Sequence, residues 1–248
     1  MTKRLTKLFI FYLILMGLWQ GLSSLKVWPE YIFPTPIGVI RTLIAGFEDR
    51  TFIIGILVSM KRILIGYGLS IVIGLCLGLL IGRLDETLGT LVLGFQALPS
   101  ICWLPLALLW FGLSESAMQT VVILGSLFSI IIGTDTGVKN VPPIYIRAAR
   151  TMGAKGLHLY TKVIIPAALP SIIGGFKQGW SFAWRSLMAA ELLYVGLGLG
   201  HLLMMGRELN DMNQVIAVMI VIIVIGVVVD RLIFGKIENK IRERWGLV

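Results

Sequence analysis

The sequence predicts an all-α membrane protein with about six transmembrane helices, because of its composition and the length and continuity of its apolar runs. Apolar residues make up 57% of the 248 positions, charged residues make up 14%, and the mean hydropathy is +0.90. A soluble domain has about 45–50% apolar and about 25% charged residues. The runs are long enough to cross about 30 Å of hydrocarbon as helices, and they lack the alternation of a β-barrel strand.

The candidate spans are the segments with few or no charged residues, at 8–25, 63–82, 88–112, 117–137, 171–195 and 213–234. We expect them to form a single transmembrane domain over residues 1–248. The first segment follows Lys3, Arg4 and Lys7 but precedes no small-residue cleavage site, so we expect a retained span rather than a signal peptide. Pro99 and Pro105 should kink or break the third span.

Residues 35–60 are too rich in charge to form a clean span. Thr35 followed by Pro36 is a favourable helix start. Apolar residues then recur at helical spacing on one side, at Ile37, Ile40, Ile44 and Phe47. We therefore expect an amphipathic helix that lies at the outer membrane interface.

Gly74, Gly78 and Gly82 repeat every four residues in the second candidate span. Such a stripe lets another helix approach closely. One interpretation is ordinary tight packing within the bundle. The other is a moving or dimerising interface.

Lysine and arginine are distributed unevenly between the two predicted sides of the membrane. With a cytoplasmic N-terminus, fourteen lie on the cytoplasmic side and six on the other, while Lys177 and Arg185 lie inside the fifth span. Cytoplasmic loops are enriched in these residues. We therefore predict that both termini are cytoplasmic, and that the net charge of +9 reflects topology rather than nucleic-acid binding.

The longest predicted cytoplasmic loop, 138–170, contains signals for two short helices. The signals are prolines and glycines: Pro142 and Pro143 at the first entry, Gly153 and Gly156 in the turn, and Pro166 and Pro170 at the second helix's end. The small residues of this loop are Ala148, Ala149 and Ala154. They lie among the cations Arg147, Arg150, Lys155 and Lys162. A surface of small side chains surrounded by cations suits insertion into a groove of a partner protein.

This loop resembles the "EAA" loop of permeases in ATP-binding-cassette (ABC) importers. The matching residues are Ala148, Ala149, Gly153, Ala154, Pro166 and Pro170. The stretches at 59–70, 97–112 and 189–200 are similar to the branch that imports aliphatic sulfonates, taurine, nitrate or bicarbonate, and the resemblance covers about residues 34–240. It implies the type I importer permease fold in a bacterial inner membrane, with loop 138–170 as the ATPase-coupling loop.

The resemblance also implies partners. Two permease copies would form the pathway, and an extracytoplasmic binding protein would deliver the substrate. ATPase subunits, which bind ATP and Mg, would bind loop 138–170 of each permease copy. This chain has Arg147 where the family usually has a glutamate, and Met152 replaces an acidic or polar residue, so the salt bridge with the ATPase should differ.

The chain itself shows no motif for an enzyme active site. It lacks the phosphate-binding pattern GxxxxGK[ST], because GAKG at 153–156 has neither the spacing nor the hydroxyl residue. His158 and His201 are far apart, and Cys76 and Cys102 lie within apolar runs. We therefore predict no catalytic residue, no metal site and no cofactor in this chain, so energy must come from another chain or from a gradient.

The fifth span has an unusual polar stripe, because Gln178, Ser181 and Arg185 share one helical face. Ionisable groups inside a span usually face a cavity or the bundle interior. One hypothesis is that this stripe lines an anion route. Arg185 would then supply positive potential, and the other contributors would be Trp180 or Trp184 as a gate, Glu191, and Gln96 of the third span as a hydrogen-bond donor. The alternative is that Arg185 pairs with a carboxylate, such as Glu191 of a second copy, and only holds the bundle.

We predict the permease subunit of an ATP-driven importer for a small anion, and two other classes of protein remain as alternatives. A gradient-driven transporter would need intramembrane acidic groups and an inverted repeat. Glu191 is the only carboxylate well inside a predicted span, and no repeat is visible. A non-transporting scaffold would require neither the ordered loop nor the polar fifth span.

Overall fold

The structure is a computed structural model that describes residues 2–25, 27–84 and 86–245. Lys26 and the side chains of Lys3, Arg4 and Arg83, which entered the predicted charge distribution, lie outside the described part. Helices account for most of the described residues, and none of these residues is in a β-strand.

The helices of the described chain occur in the following order. They are α1 (Thr2–Ser24), α2 (Pro36–Glu48), α3 (Thr51–Leu84), α4 (Glu86–Ala97), α5 (Leu104–Phe111), α6 (Glu115–Lys139), α7 (Pro143–Thr151), α8 (Gly156–Leu159), α9 (Ile165–Leu193), α10 (Leu199–Glu208), α11 (Met212–Val228) and α12 (Gly235–Arg244).

Four of the six predicted spans correspond to apolar helices of the described chain that are long enough to cross a membrane, and a bent pair of helices corresponds to one more. Within the described residues these are Thr51–Gly82, Glu115–Lys139, Gly156–Leu193 and Met212–Arg244, with a fifth if the bent pair Leu88–Ala97 and Ser100–Phe111 forms one span. The predicted first span coincides with a shorter apolar helix, Ile10–Ser24. That 1–248 forms one permease domain stays a prediction.

The amphipathic helix predicted after Thr35 is confirmed as α2. The Thr35 hydroxyl accepts a hydrogen bond from the Gly38 backbone N–H at 3.1 Å, which caps the helix. The four apolar residues at helical spacing are all exposed. α2 ends at Glu48 and is followed by Asp49. The Asp49 carboxylate accepts a hydrogen bond from the Thr51 backbone N–H at 2.8 Å, and this bond holds the pKa of Asp49 below its usual range.

The helix that carries the second predicted span, 63–82, begins well before residue 63. α3 begins at Thr51 and continues without interruption through Lys61 and Arg62. Arg62 is buried rather than located in a loop, with 5% of its surface exposed. Arg62 therefore does not mark a helix boundary, because the carboxylates of Glu115 and Glu191 neutralise its charge within the helix bundle.

Pro99 breaks the third predicted span, as expected. α4 and the segment Ser100–Phe111 meet at a bend of 95°. One turn of 3₁₀ helix, Ser100–Trp103, follows Pro99. Pro105 instead lies in the first turn of α5, where its missing N–H is not needed for a helical hydrogen bond.

Pro166 and Pro170 do not end a helix, so that prediction is wrong. The helix is continuous from Gly156 to Leu193, with Pro170 in its interior. A wide π-helical turn, Tyr160–Ile164, precedes Pro166, and it ends with the Ile165 N–H bonded to the Tyr160 carbonyl. Such a turn is one means by which a helix can pass a proline.

The chain divides into two compact units, each discontinuous in sequence, and the first is Met1–Ser59 with Val195–Val224. In this unit the Trp19 indole N–H donates to the Pro34 carbonyl at 3.0 Å. The Leu199 backbone N–H donates to the Ser59 hydroxyl at 2.9 Å, and this bond is buried. These polar contacts hold α1 to the segment before α2 and fix the start of α10.

The second unit, Met60–Tyr194 with Ile225–Val248, is built on close packing of α6 against α3 and α9. An added Cβ on Gly74 or Gly78 would lie 2.8 or 2.6 Å from side-chain atoms of Ile130 or Thr134 on α6. The glycine stripe therefore serves tight packing within one chain, the first of the two interpretations.

The Gly175 position gives a test of this packing. A Cβ at Gly175 would lie 2.9 Å from the Gly133 Cα, which is backbone and cannot move aside. We expect Gly175→Ala to lower the free energy of unfolding by about 1–3 kcal/mol, as overpacking does. Gly174→Ala is the matched control, because nothing lies within 4 Å of its added Cβ. Thermal unfolding of both purified variants checks this, and equal stability would contradict it.

Candidate translocation surface and coupling segment

The polar stripe predicted on the fifth span exists as one face of α9. Gln178 and Arg185 are exposed, and Ser181 is half-buried. The Arg185 Nε donates to the Ser181 carbonyl at 3.1 Å, and its guanidinium lies 4.8 Å from the centre of the Phe182 ring. None of the ion pairs among the described residues includes Arg185. The stripe therefore presents an exposed cation on an otherwise apolar helix.

A cavity of about 190 Å³ lies at the break between α4 and α5. Phe182 lines it, so the cavity adjoins the residue against which Arg185 packs. Gln96 and Ser100 supply its polar groups, and the Gln96 amide donates to the Ser129 hydroxyl at 3.1 Å. The cavity thus brings Gln96 together with Phe182 of α9. Sequence reasoning missed Ser100 and Phe182.

Trp180 and Trp184 do not lie on the exposed stripe. Their exposed fractions are 5% and 7%, and their rings stack with centroids 6.3 Å apart. Trp180 also packs edge-on against Tyr67 at 5.4 Å. Two enclosed rings are suited to packing between helices, so the gate hypothesis receives no support from their position.

Glu191 belongs to a buried ion-pair network that the sequence did not reveal. The Arg62 Nη1 donates to the Glu191 Oε1 at 2.8 Å, and neither side chain is more than 6% exposed. The Arg62 Nε donates to the Glu115 Oε2 at 2.9 Å, and its guanidinium lies 5.5 Å from the Tyr194 ring. Arg62 thereby joins α3, α6 and α9. The sequence indicated this network only in that Glu191, a carboxylate inside a predicted span, requires a cation as its partner.

Lys177, the other cation of the fifth span, has partners near the end of the chain. Its Nζ lies 3.7 Å from the Asp230 Oδ1 and 3.5 Å from the Glu238 Oε2. All three side chains are at least one-third exposed. Pairs of this kind contribute about 0–1 kcal/mol each, so we assign Lys177 a minor structural role.

The coupling segment, residues 138–170, is named for its predicted role. It contains an ordered helix, α7, followed by a turn, and one side of α7 is anchored. Ala149 is buried with Val138, Val141, Leu159, Ile164, Ala168 and Ile172. Arg147, Ala148 and Gly153 are exposed, and Ala154 is half-buried. α7 is therefore held firmly on one side and open on the other.

The end of α7 explains the requirement for Gly153. The Ala154 N–H bonds to the Ala149 carbonyl at 2.9 Å, and the Gly153 N–H bonds to the Arg150 carbonyl at 3.0 Å. Gly153 has φ of +88°, a left-handed conformation that favours glycine. Gly156, at φ +53°, completes the turn into α8. The predicted turn between two helices is confirmed.

The described residues contain no group of three His, Cys, Asp or Glu side chains arranged to hold a metal ion. Polar groups of the described chain that bear on function are the exposed stripe on α9, the ion-pair network at Arg62 and the coupling segment.

Comparison with known proteins gives consistent family assignments. A Methanocaldococcus jannaschii protein named as an ABC transporter permease is 38% identical over 86% of this chain and 83% of that protein. An Escherichia coli (strain K12) protein named for transport of aliphatic sulfonates is 31% identical over 93% of this chain and 88% of its own length. The nitrate import permease of Leptolyngbya laminosa is 29% identical over 94% of this chain and 86% of its own length.

A solved structure shows the same fold. A chain of the MetNI methionine ABC transporter in inward-facing conformations has a TM-score of 0.65, covering 77% of this chain and 96% of that chain at 18% identity. The fold is thus that of a type I importer permease, as predicted. Residues 70–242 match the binding-protein-dependent transport system inner membrane component. Because this match extends over more than half of the sequence, the chain belongs to that family of inner-membrane permeases.

Proposed function

We propose that this chain translocates a small anion across the inner membrane, with energy from ATP hydrolysed by separate ATPase subunits. The main supporting observation is the coupling segment, an ordered helix that is anchored through Ala149 and exposed at Arg147, Ala148 and Gly153. An ordered, exposed helix with small residues suits insertion into a partner. ATP and Mg would be bound by that partner.

The anion class is supported by two independent observations. Arg185 places a positive charge on an exposed face of α9, next to the cavity that Phe182 and Gln96 line. Relatives are named for aliphatic sulfonates and for nitrate, both of which are anions. We therefore propose an aliphatic sulfonate, taurine, nitrate or bicarbonate, delivered by an extracytoplasmic binding protein.

The exposed Arg185 also supports a paired assembly. A cation facing lipid is costly, so this face should meet a water-filled path or a second permease copy. Two copies with their α9 stripes facing each other would enclose such a path. Because Glu191 is already paired with Arg62 in its own chain, we propose a structural role for Glu191. Both termini would be cytoplasmic, which places α7 on the ATPase side.

The continuous helix from Gly156 to Leu193 offers a means of coupling. It begins directly after the α7 turn and carries Arg185 near its other end. Movement of α7 by the ATPase would displace this helix and its polar stripe together, because packed elements move as bodies. The pathway would open alternately to each side.

The Ala148 position tests ATPase docking. Ala148 is exposed, so Ala148→Trp should leave the fold intact but should block close approach of a partner. We expect at least tenfold weaker binding to the cognate ABC ATPase, measured by titration in nanodiscs. Ala45→Trp, at an exposed alanine of α2, is the control and should bind as the wild type does. Unchanged binding by Ala148→Trp would contradict docking at α7.

A further inference from the structure

The coupling segment has an unbalanced charge. Between Asp135 and Glu191 the sequence contains no Asp or Glu. Of the cations in 138–170, Lys139 is paired with Asp135 at 3.0 Å. The others are all exposed, and none of the ion pairs among the described residues includes them: Arg147, Arg150, Lys155 and Lys162. The described part of the chain therefore does not neutralise this surface.

Apolar side chains are exposed among these cations. Met152 and Leu157, on either side of the turn, are 82% and 80% exposed, and Tyr145 is 54% exposed. Methionine, aromatic residues and arginine are enriched in protein interfaces. An anionic membrane surface would favour a helix whose exposed face is apolar along its length. The large exposed apolar residues of α7, Ile144 and Tyr145, lie in its first turn only. The exposed residues that follow include Arg147 and Arg150. The surface fits a protein partner better than a lipid.

A groove beside the turn between α7 and α8 indicates which chemical group a partner would place there. It has a volume of about 310 Å³ and lies along Met152, Gly153 and Ala154, with Lys162 on its wall. A partner side chain that enters this groove removes water from the Lys162 ammonium. Burying an unpaired charge is costly, so a carboxylate is the entering group that best satisfies it.

We infer that the ATPase partner presents a carboxylate-lined surface to α7, with acidic side chains opposite Arg147, Arg150 and Lys162. This inference rests on the proposed function. Charge repulsion would then exclude ATPases whose docking groove is basic, which makes the pairing selective.

The test is a charge reversal measured in nanodiscs of neutral phosphatidylcholine, which contain no anionic lipid. The variant Arg147→Glu/Arg150→Glu should bind the cognate ABC ATPase at least tenfold more weakly than the wild type. Wild-type affinity should also fall as NaCl is raised from about 50 to about 500 mM, because salt screens exposed charges. Replacing acidic residues of the ATPase groove with lysine should restore binding by the reversed variant.

The control is Lys236→Glu/Lys240→Glu on α12, which makes the same change of charge at two exposed lysines elsewhere and should leave binding unchanged. Equal ATPase affinity of the wild type and the reversed variant would overturn this inference alone. A loss seen only in nanodiscs containing phosphatidylglycerol would also overturn it, in favour of a lipid partner. Failure of the wild-type chain to bind the ATPase at any salt concentration would overturn the proposed function as well.

Discussion

Arg62→Leu is expected to destabilise the protein by about 3–5 kcal/mol, because it removes the cation that neutralises a buried carboxylate. Glu191 is fully buried, and its Oε1 lies 2.8 Å from the Arg62 Nη1. Without Arg62 the carboxylate must stay charged without this partner or take up a proton, and either change disfavours the folded state. Thermal unfolding of the purified variant, or its yield in the membrane, measures the effect.

Glu115→Gln is the matched comparison. Glu115 binds the same guanidinium but is 55% exposed, so we expect its replacement to cost about 0–1 kcal/mol. The double variant Arg62→Leu/Glu191→Leu should be more stable than Arg62→Leu alone, because it leaves neither member of the buried pair. If Arg62→Leu were as stable as Glu115→Gln, the network would not hold α3, α6 and α9 together.

Arg185→Ala is expected to reduce transport at least tenfold while leaving the protein folded. Arg185 is exposed, and its removal deletes no ion pair found among the described residues. A loss of transport would therefore reflect the loss of positive potential along the pathway, which concentrates anions. Uptake of radiolabelled taurine and nitrate into proteoliposomes that also contain the ATPase and binding protein measures it.

Arg185→Lys keeps the charge and should retain much of the uptake. Lys177→Ala is the control on the same helix, because Lys177 is already paired with Asp230 and Glu238. Uptake by Arg185→Ala at the wild-type rate would show that the residue does not contribute to the pathway.

The spans that could be predicted from hydropathy alone are those bounded by local signals. The fourth, predicted at 117–137, is α6 at Glu115–Lys139, since Ser114 caps its start and Asn140 follows its end. The start of α3 could not be predicted in this way. Arg62 was taken as a boundary, and its neutralising partner Glu191 lies 129 residues away in the sequence.

The rule that proline ends a helix failed for a similar reason. Pro166 follows a π-helical turn, and the flanking helix is packed against α6 from Ala168 onward, so tertiary contacts keep it helical. In the candidate site, the stripe at Gln178, Ser181 and Arg185 was predictable because helical spacing decides it. The cavity at the α4–α5 break depended on a 95° bend whose direction no local pattern specifies.

The most direct test of the proposed function is ATP hydrolysis by the permease and its ATPase, reconstituted together in lipid with the binding protein. We predict that binding protein loaded with one of the candidate anions stimulates hydrolysis, and that Ala148→Trp abolishes this stimulation. If the components are folded and assembled and no loaded binding protein changes the rate of ATP hydrolysis, the result would contradict the role of this chain as the permease of an ATP-driven anion importer.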